Sequence, residues 1–459
     1  MASPAALGRQ CLRASQQPLR AAASPRRGLA ATASRSFQYQ TGEAHGVKYA
    51  SRDVSGPTTT LAIVSKAGTR YQPFPGYSDA LEKFAFKSTT KRSALRITRE
   101  IELLGGKAEA YHTRENVVLQ TKFLKEDLPY FAELLAEVIS KTRYTRHELS
   151  EEVLHVIKLA QQSLLTKPSE IAINSLHSLA FHRGLGEALS PTSPALLSKY
   201  LDAAGVADFS DAAYARANIA VVANGAADSE VAKWVREFFD ETGAGAAKLD
   251  STASKYYGGE ERIAHGSGNA IVLGFPGTAS YASGSSYKPE IAVLAQLLGG
   301  QSSIKWSPGF SLLAKVASEF PGTHISTVNH GYSDAGLLSI SISGKAADIA
   351  KASKAAVDAI KKVAAGEVSE DEVKKAVALA KFEAFESGQS AQAVLEATGN
   401  ALISGGKAYE IDQVGASIDS VSVEKVTAAA KTLLDAKASV ATVGDLFTLP
   451  FAEDIGLTV

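Results

Sequence analysis

One α+β module is written twice along this chain, and that repeat limits its fold more than any other feature. The first copy predicts a strand over 59–66, a helix over 79–87 and a second helix from Ser93 that stops at Gly105-Gly106, where glycine lets the backbone turn out. Strands over 107–111 and 115–124 follow, then an amphipathic helix from Asp127 through Ile139. Thr145-Arg146-His147-Glu148 has the spacing of a capping box, in which a hydroxyl and a carboxylate satisfy free N–H groups at a helix start. The copy closes in an apolar strand over 218–223 and Gly225. The second copy repeats these events: strand 270–274, helices 289–298 and 312–318, a stop near Pro321-Gly322, and strands 324–328 and 337–343. A helix beginning near Asp348, the capping box Ser369-Glu370-Asp371-Glu372 and a strand over 438–443 before Gly444-Asp445 complete it. Matching landmarks lie roughly 210 to 225 residues apart, with the slow drift that small loop changes produce. Two unrelated α+β domains could share a generic order; sharing the capping box and the strand-Gly ending as well points to duplication. The predicted fold is α+β, with two homologous domains, each an antiparallel sheet with one apolar face covered by helices, facing each other across a cleft. The domains are expected over 40–246 and 263–459, joined by a polar Gly/Ser/Tyr linker over 247–262; at 459 residues, two cores are also what chain length favours.

Residues 1–36 read differently. They hold six arginines (Arg9, Arg13, Arg20, Arg26, Arg27, Arg35), and no acid precedes Glu43. At 100° per residue, Leu7, Cys11 and Ala14 share one face while Arg9, Arg13 and Gln16 share the other. An Arg-rich, acid-free amphipathic leader is the pattern of a mitochondrial transit peptide. Cys11, inside that leader, is the sole cysteine, so a processed chain offers no disulfide, iron–sulfur cluster, thioether-linked haem or thiolate zinc. Lysine plus arginine and aspartate plus glutamate both number 48, which leaves no basic excess for nucleic acid. No apolar run approaches the roughly 18 to 20 residues needed to cross a bilayer, so membrane association is expected to be peripheral, through partners.

The most informative segment is Gly76-Tyr77-Ser78-Asp79-Ala80-Leu81-Glu82-Lys83-Phe84-Ala85-Phe86-Lys87-Ser88-Thr89. It resembles the processing-peptidase family of inverted-motif zinc proteases, whose pattern is G-x-x-H-x-x-E-H followed by a Met-Ala-Phe-Lys-Gly-Thr-like run. The flanks match, down to Ala85-Phe86-Lys87 and Thr89; the two histidine positions fall on Asp79 and Lys83, and Glu82 alone is retained. A catalytic zinc needs three neutral or anionic ligands and an open position for water, whereas an ammonium has no lone pair to offer and repels a dication. Asp79 and Lys83, four residues apart on a helix, are expected to pair with each other. The family's third ligand is a downstream glutamate; here no acid occurs between Glu152 and Glu170, and Lys158-Leu159-Ala160-Gln161-Gln162 takes the corresponding stretch. The resemblance therefore implies a degenerate zinc site at Asp79, Glu82 and Lys83, with no catalytic residue, no metal and no cofactor. His147, Glu151 and His155 recur on one helix face but read as a solvated face. Gly299–Gly309 lacks the Gly-Lys-Ser/Thr ending of a phosphate loop and reads as a flexible loop. His45, His112, His177, His182, His265, His324 and His330 are scattered and read as ordinary surface or packed histidines.

The family also includes subunits that kept the fold and lost the chemistry. Ile97-Thr98-Arg99-Glu100-Ile101-Glu102, Gly105-Gly106-Lys107, Thr113-Arg114-Glu115-Asn116 and Gly331-Tyr332-Ser333-Asp334-Ala335-Gly336-Leu337 resemble its core-protein branch, found in mitochondrial ubiquinol-cytochrome c reductase (complex III). That likeness implies a peripheral subunit on the matrix side of the inner membrane, paired with core protein 1 and with the other subunits of a dimeric complex, and contributing to assembly and stability. The alternative is the non-catalytic, substrate-binding subunit of the matrix processing peptidase. Its longer glycine-rich loop is poorly matched by 299–309, which carries Ile304-Lys305-Trp306 at its middle.

Overall fold

The computed structural model describes residues 38–459, except 55, 244–248, 250–251, 282–285, 302–306, 308, 406–407 and 409. The leader predicted over 1–36 and the middle of the 299–309 loop lie outside the described residues, as does part of the 247–262 stretch.

The first half opens with β1 (Gln40–Ala44), β2 (Val47–Arg52), β3 (Thr58–Ser65), α1 (Tyr77–Phe84), α2 (Ala94–Leu103), β4 (Lys107–His112) and β5 (Val117–Leu124). It continues through α3 (Leu128–Lys141), α4 (Leu154–Leu165), α5 (Pro168–Phe181), α6 (Pro194–Tyr200), α7 (Ala203–Ala213), β6 (Ile219–Asn224) and α8 (Asp228–Phe238). The second half runs β7 (Gly259–Ala264), β8 (Asn269–Pro276), α9 (Pro289–Leu298), α10 (Leu312–Glu319), β9 (His324–Gly331) and β10 (Gly336–Gly344). Helices α11 (Ala346–Ala365), α12 (Glu370–Ser387), α13 (Ala391–Ser404), α14 (Ile411–Asp419) and α15 (Val423–Asp435) lead to β11 (Ser439–Gly444). Strand β7 begins at Gly259, so the stretch expected as a linker already belongs to the second sheet at its end.

The strand orders are β1-β2-β6-β3-β5-β4 and β7-β11-β8-β10-β9. Setting β1 aside, they agree term for term. In each sheet the last strand of the half returns to a central place, pairing antiparallel with one neighbour (β6 with β3, β11 with β8) and parallel with the other (β2 and β7). The remaining pairings are antiparallel. This identity of topology is the three-dimensional counterpart of the written repeat.

Each sheet is covered on both faces, not on one as the sequence suggested. Because side chains alternate along a strand, Leu61 and Ile63 of β3 point into the first half's own helical core, beside Leu119 and Val221. Their neighbours Ala62 and Val64 point the other way, with Ala50, Val118, Ala220 and Val222, against Leu395, Leu402 and Ile403 of α13. Reciprocally, Ala172, Leu176 and Phe181 of α5 lie on Ala270, Val272, Ala441 and Val443 of the second sheet. Each half thus lends one helix to roof the other's sheet. Contact is close enough that glycine is required on both sides: a Cβ on Gly399 of α13 would stand 2.4 Å from Val64, and one on Gly274 of β8 would stand 2.8 Å from Leu176.

The two expected capping boxes part ways. Ser369 and Glu372 form theirs in full. Thr145 makes no cap; its hydroxyl donates to the Glu148 carboxylate at 2.6 Å, and that carboxylate also accepts from the Ser88 N–H at 3.4 Å. A π turn over Leu149–Val153 then precedes α4. His147, Glu151 and His155 are all exposed around this turn, the solvated surface that their pattern suggested. Among the described residues no helix is long and apolar enough to cross a membrane.

Candidate functional site

Helix α1 carries all three positions singled out in the sequence. Its entry at Gly76 has φ 97°, a left-handed conformation that suits glycine. Asp79 sits in the first turn and Lys83 in the last, each with the sign that complements the helix dipole. They do not pair with each other as expected. Asp79 is only 2% exposed and accepts a hydrogen bond from Ser190 Oγ at 3.0 Å, while the Lys83 ammonium lies toward the surface and pairs with Glu82. Burial separates them: a flexible ammonium keeps its head near water while Asp79 turns inward.

The cation that enters the site is His112, at the end of β4. Its Nδ1 faces the Glu82 carboxylate and its Nε2 faces the Leu189 carbonyl at 2.7 Å. Both partners are acceptors, an arrangement that favours the ring protonated at both nitrogens. Burial by itself would lower the His112 pKa, but the Glu82 hydrogen bond and the negative charges of Asp79 and Glu82 outweigh it and raise the pKa. Burial pushes Glu82 up, yet the His112 hydrogen bond and charge, with help from Lys83, hold it below the ordinary value. For Asp79, burial wins, and its pKa is raised despite His112, Ser190 and Lys83. One Asp79 oxygen, Oδ2, has no hydrogen bond and lies 3.9 Å from His112 Nε2.

A strap covers the cluster. Leu189 supplies the carbonyl to His112, Ser190 the hydroxyl to Asp79, and Pro191 a carbonyl that accepts from Gln161 Nε2 at 2.6 Å. Gln161 belongs to α4 and is buried, so the stretch in which the sequence showed no acid presents a neutral amide here. These residues do not fit a zinc ion. Both nitrogens of the one nearby histidine are engaged with acceptors, an ammonium stands on the retained glutamate, and among the described residues no group of three or more His, Cys, Asp or Glu is placed to hold a metal. In the sequence His112 is one of the scattered histidines that read as ordinary surface or packed residues; what could have marked it is that two inward-facing carboxylates on α1 require a cation.

Two other motifs singled out in the sequence meet each other. The β4–β5 turn, Thr113–Asn116, and the β9–β10 turn, Gly331–Gly336, occupy equivalent places in the two sheets. Arg70 donates to Glu115 of the first turn at 2.8 Å and to both oxygens of Asp334 of the second at 2.8 and 2.7 Å. Ser333 closes the link, its N–H and hydroxyl donating to Glu115 at 2.9 and 2.6 Å. Alongside, His177 of α5 shares a 2.8 Å hydrogen bond with the Tyr332 hydroxyl. Two cavities lie between the halves on either side of His182. One, about 620 Å³, is lined by Arg70, Arg183, Ser254 and Tyr257, and the other, about 610 Å³, by Asn174, Glu187, Glu261 and Ile263. Neither includes Asp79, Glu82 or His112 in its wall.

Comparison with known proteins agrees with this picture. Residues 48–193 match the model of the insulinase family (peptidase family M16), and residues 200–379 match that of the peptidase M16 inactive domain. Over 460 aligned residues, spanning 100% of both chains, the sequence is 50% identical to the mitochondrial cytochrome b-c1 complex subunit 2 of Neurospora crassa. The subunit 2 of Cryptococcus neoformans is 38% identical over 91% of this chain and 94% of its own. Human subunit 2 is 26% identical over 90% of each.

Proposed function

The chain belongs to the M16 peptidase family, in its cytochrome b-c1 complex subunit 2 branch, and from that membership we infer that it works as a non-catalytic core subunit of the mitochondrial cytochrome b-c1 complex, the ubiquinol-cytochrome c reductase of the respiratory chain. It is not a peptidase. The observation that carries this reading is end-to-end likeness at 50% identity to a protein bearing that name; the His112 ring and the Lys83 ammonium standing on the α1 carboxylates agree with it. Asp79, Glu82 and Lys83 are read as what remains of a zinc site. None of the relatives above is a processing-peptidase subunit, so the substrate-binding alternative is not favoured.

Finer assignments follow from the same reading. The subunit pairs with core protein 1 within a dimeric complex, lies on the matrix side of the inner membrane and is held there through partners, its 1–36 leader having been removed after import. Its first domain is placed at 40–246 and its second from Gly259, where β7 opens the second sheet, to 459. The chemistry of quinol oxidation belongs to other subunits; this one supplies contact area, which in permanent assemblies runs above about 2,000 Å². Native electrophoresis of mitochondria solubilised in mild detergent tests the reading: the chain should migrate with the b- and c-type cytochromes. A chain recovered as a free, chelator-sensitive hydrolase would end it.

A further inference from the structure

Beyond β11, the chain presents two phenylalanines to solvent: Phe447 is 104% exposed and Phe451 54%. Single exposed apolar residues are ordinary on protein surfaces; what distinguishes this pair is the construction that holds it still. Asp445 accepts from the Phe447 N–H at 3.2 Å and from the Thr448 hydroxyl at 2.9 Å. From β7, Arg262 reaches across and donates to the carbonyls of Leu446 and Leu449 at 2.7 and 2.9 Å. Its guanidinium lies 3.6 Å from the centre of the Phe451 ring. Asp454 accepts from the Phe451 N–H at 3.0 Å, and Glu260 accepts from the Ala452 N–H at 3.3 Å. Leu449, Ala452, Ile455 and Leu457 root the segment in the core of the second half. An aromatic side chain on a backbone already fixed loses little freedom on docking, which is how interface anchors gain their effect.

The surroundings are acidic. Asp445, Glu453 and Asp454 are exposed, and Glu260 lies beneath them. Arg262 is spent on two carbonyls, a ring and the Glu260 carboxylate 3.8 Å away, and Lys361 comes close at Gly456, which leaves Asp445, Glu453 and Asp454 as the exposed charge around the loop. A second copy of this chain docked face to face would set carboxylate against carboxylate. An anionic bilayer surface would be repelled by the same groups. We propose that the Phe447/Phe451 loop is a docking knob for another subunit of the cytochrome b-c1 complex, one that offers an apolar pocket rimmed with lysine or arginine. The proposal rests on the functional reading above and adds to it which surface is used and what chemistry receives it.

The test replaces the full chain in cells lacking their own copy with Phe447→Ser, Glu453→Lys or Phe447→Trp. For each, the amount of subunit migrating with the b- and c-type cytochromes on native gels is measured, together with the melting temperature of the purified subunit. Phe447→Ser and Glu453→Lys should melt like the parent, because neither side chain is buried, yet lower the co-migrating fraction about tenfold; Phe447→Trp should keep it. Parent-like co-migration of Phe447→Ser beside a co-migrating parent overturns the knob alone. A parent chain that never joins the cytochromes overturns the functional reading and the knob with it. The purified subunit should be monomeric by light scattering and should not float with vesicles of phosphatidylcholine containing about 20% cardiolipin. Dimerisation or flotation abolished by Phe447→Ser would overturn the proposal in favour of a second copy or of lipid.

Discussion

Arg70 of the first half holds Asp334 of the second by two nearly parallel hydrogen bonds, 2.8 Å to Oδ1 and 2.7 Å to Oδ2. The same guanidinium also binds Glu115. Glu115 and Asp334 come from equivalent hairpin turns of the two sheets, so one cation serves two copies of one structural position. The planar fork of arginine suits that task, and lysine would not replace it.

Removing this cation should be costly, since the Glu115 side chain is only 6% exposed and would keep the Ser333 hydrogen bonds but lose the charge that balances it. Arg70→Met is predicted to lower unfolding stability by about 3–5 kcal/mol, as breaking a buried pair from one side does. Urea denaturation measures it. Arg70→Met/Glu115→Gln should recover part of the loss, because the stranded charge goes with it; equal losses in both variants would refute the pairing as the cause.

His112 should give the strapped site a signature in pH. A histidine whose pKa is raised on folding adds stability that is complete below its ordinary 6.5 and fades as pH climbs through the raised value. Glu82, held below its ordinary 4.5, adds stability that is complete above 4.5 and fades as pH falls through the lowered value. The pair therefore contributes most between those two ordinary values. Asp79, raised above 3.8, works against it as pH rises and Asp79 ionises in its buried place. His112→Gln should cost about 1–3 kcal/mol near pH 6 and less near pH 9. A loss that does not change between those two pH values would count against a charged His112.

Gly399→Ala sets two effects against each other. Alanine is favoured over glycine within a helix by about 1 kcal/mol. The added carbon would sit 2.4 Å from Val64 of the other half, and overpacking of that kind costs about 1–3 kcal/mol or more. The clash should win and the melting temperature should fall. A rise would mean that α13 can lift from the sheet without penalty.

Writing the two histidines back is predicted not to restore a zinc enzyme. Asp79→His/Lys83→His still lacks an acid on α4, where Gln161 binds the Pro191 carbonyl, and Leu189 and Ser190 still cover the position. Metal analysis of the dialysed variant should find zinc far below one equivalent, with no peptide cleavage. Stoichiometric zinc would show that the strap yields to metal.

Much of this could be read from the residues, and the gaps have physical causes. Strands β3, β5, β8 and β10 announced themselves by apolar runs, and Ser369 and Glu372 by spacing alone. Helices α5 and α13 left no usable pattern because their buried positions mix apolar residues such as Leu176 and Leu395 with polar ones such as Asn174, Ser175, His177 and Thr398, so apolar and polar faces do not separate. Thr145 and Glu148 had the right letters for a cap, but the carboxylate was drawn to Ser88, and the π turn that follows has no sequence mark. The loss of the zinc ligands was plain from Asp79 and Lys83. Their true partners were not, because His112 and Ser190 arrive from a strand end and a loop far along the chain, and only the packing of α1 against β4 and the strap brings them near.

The exchange of α5 and α13 fixes an order of events during synthesis. Ala62, Val64, Ala220 and Val222 are finished long before residues 391–404 exist to cover them. For that interval a growing chain carries a bare apolar surface of the kind that promotes aggregation, and early truncations should be sticky, not merely short. Nor can the halves be parted and studied as modules: residues 40–246 made alone should be aggregation-prone until the missing helix is supplied.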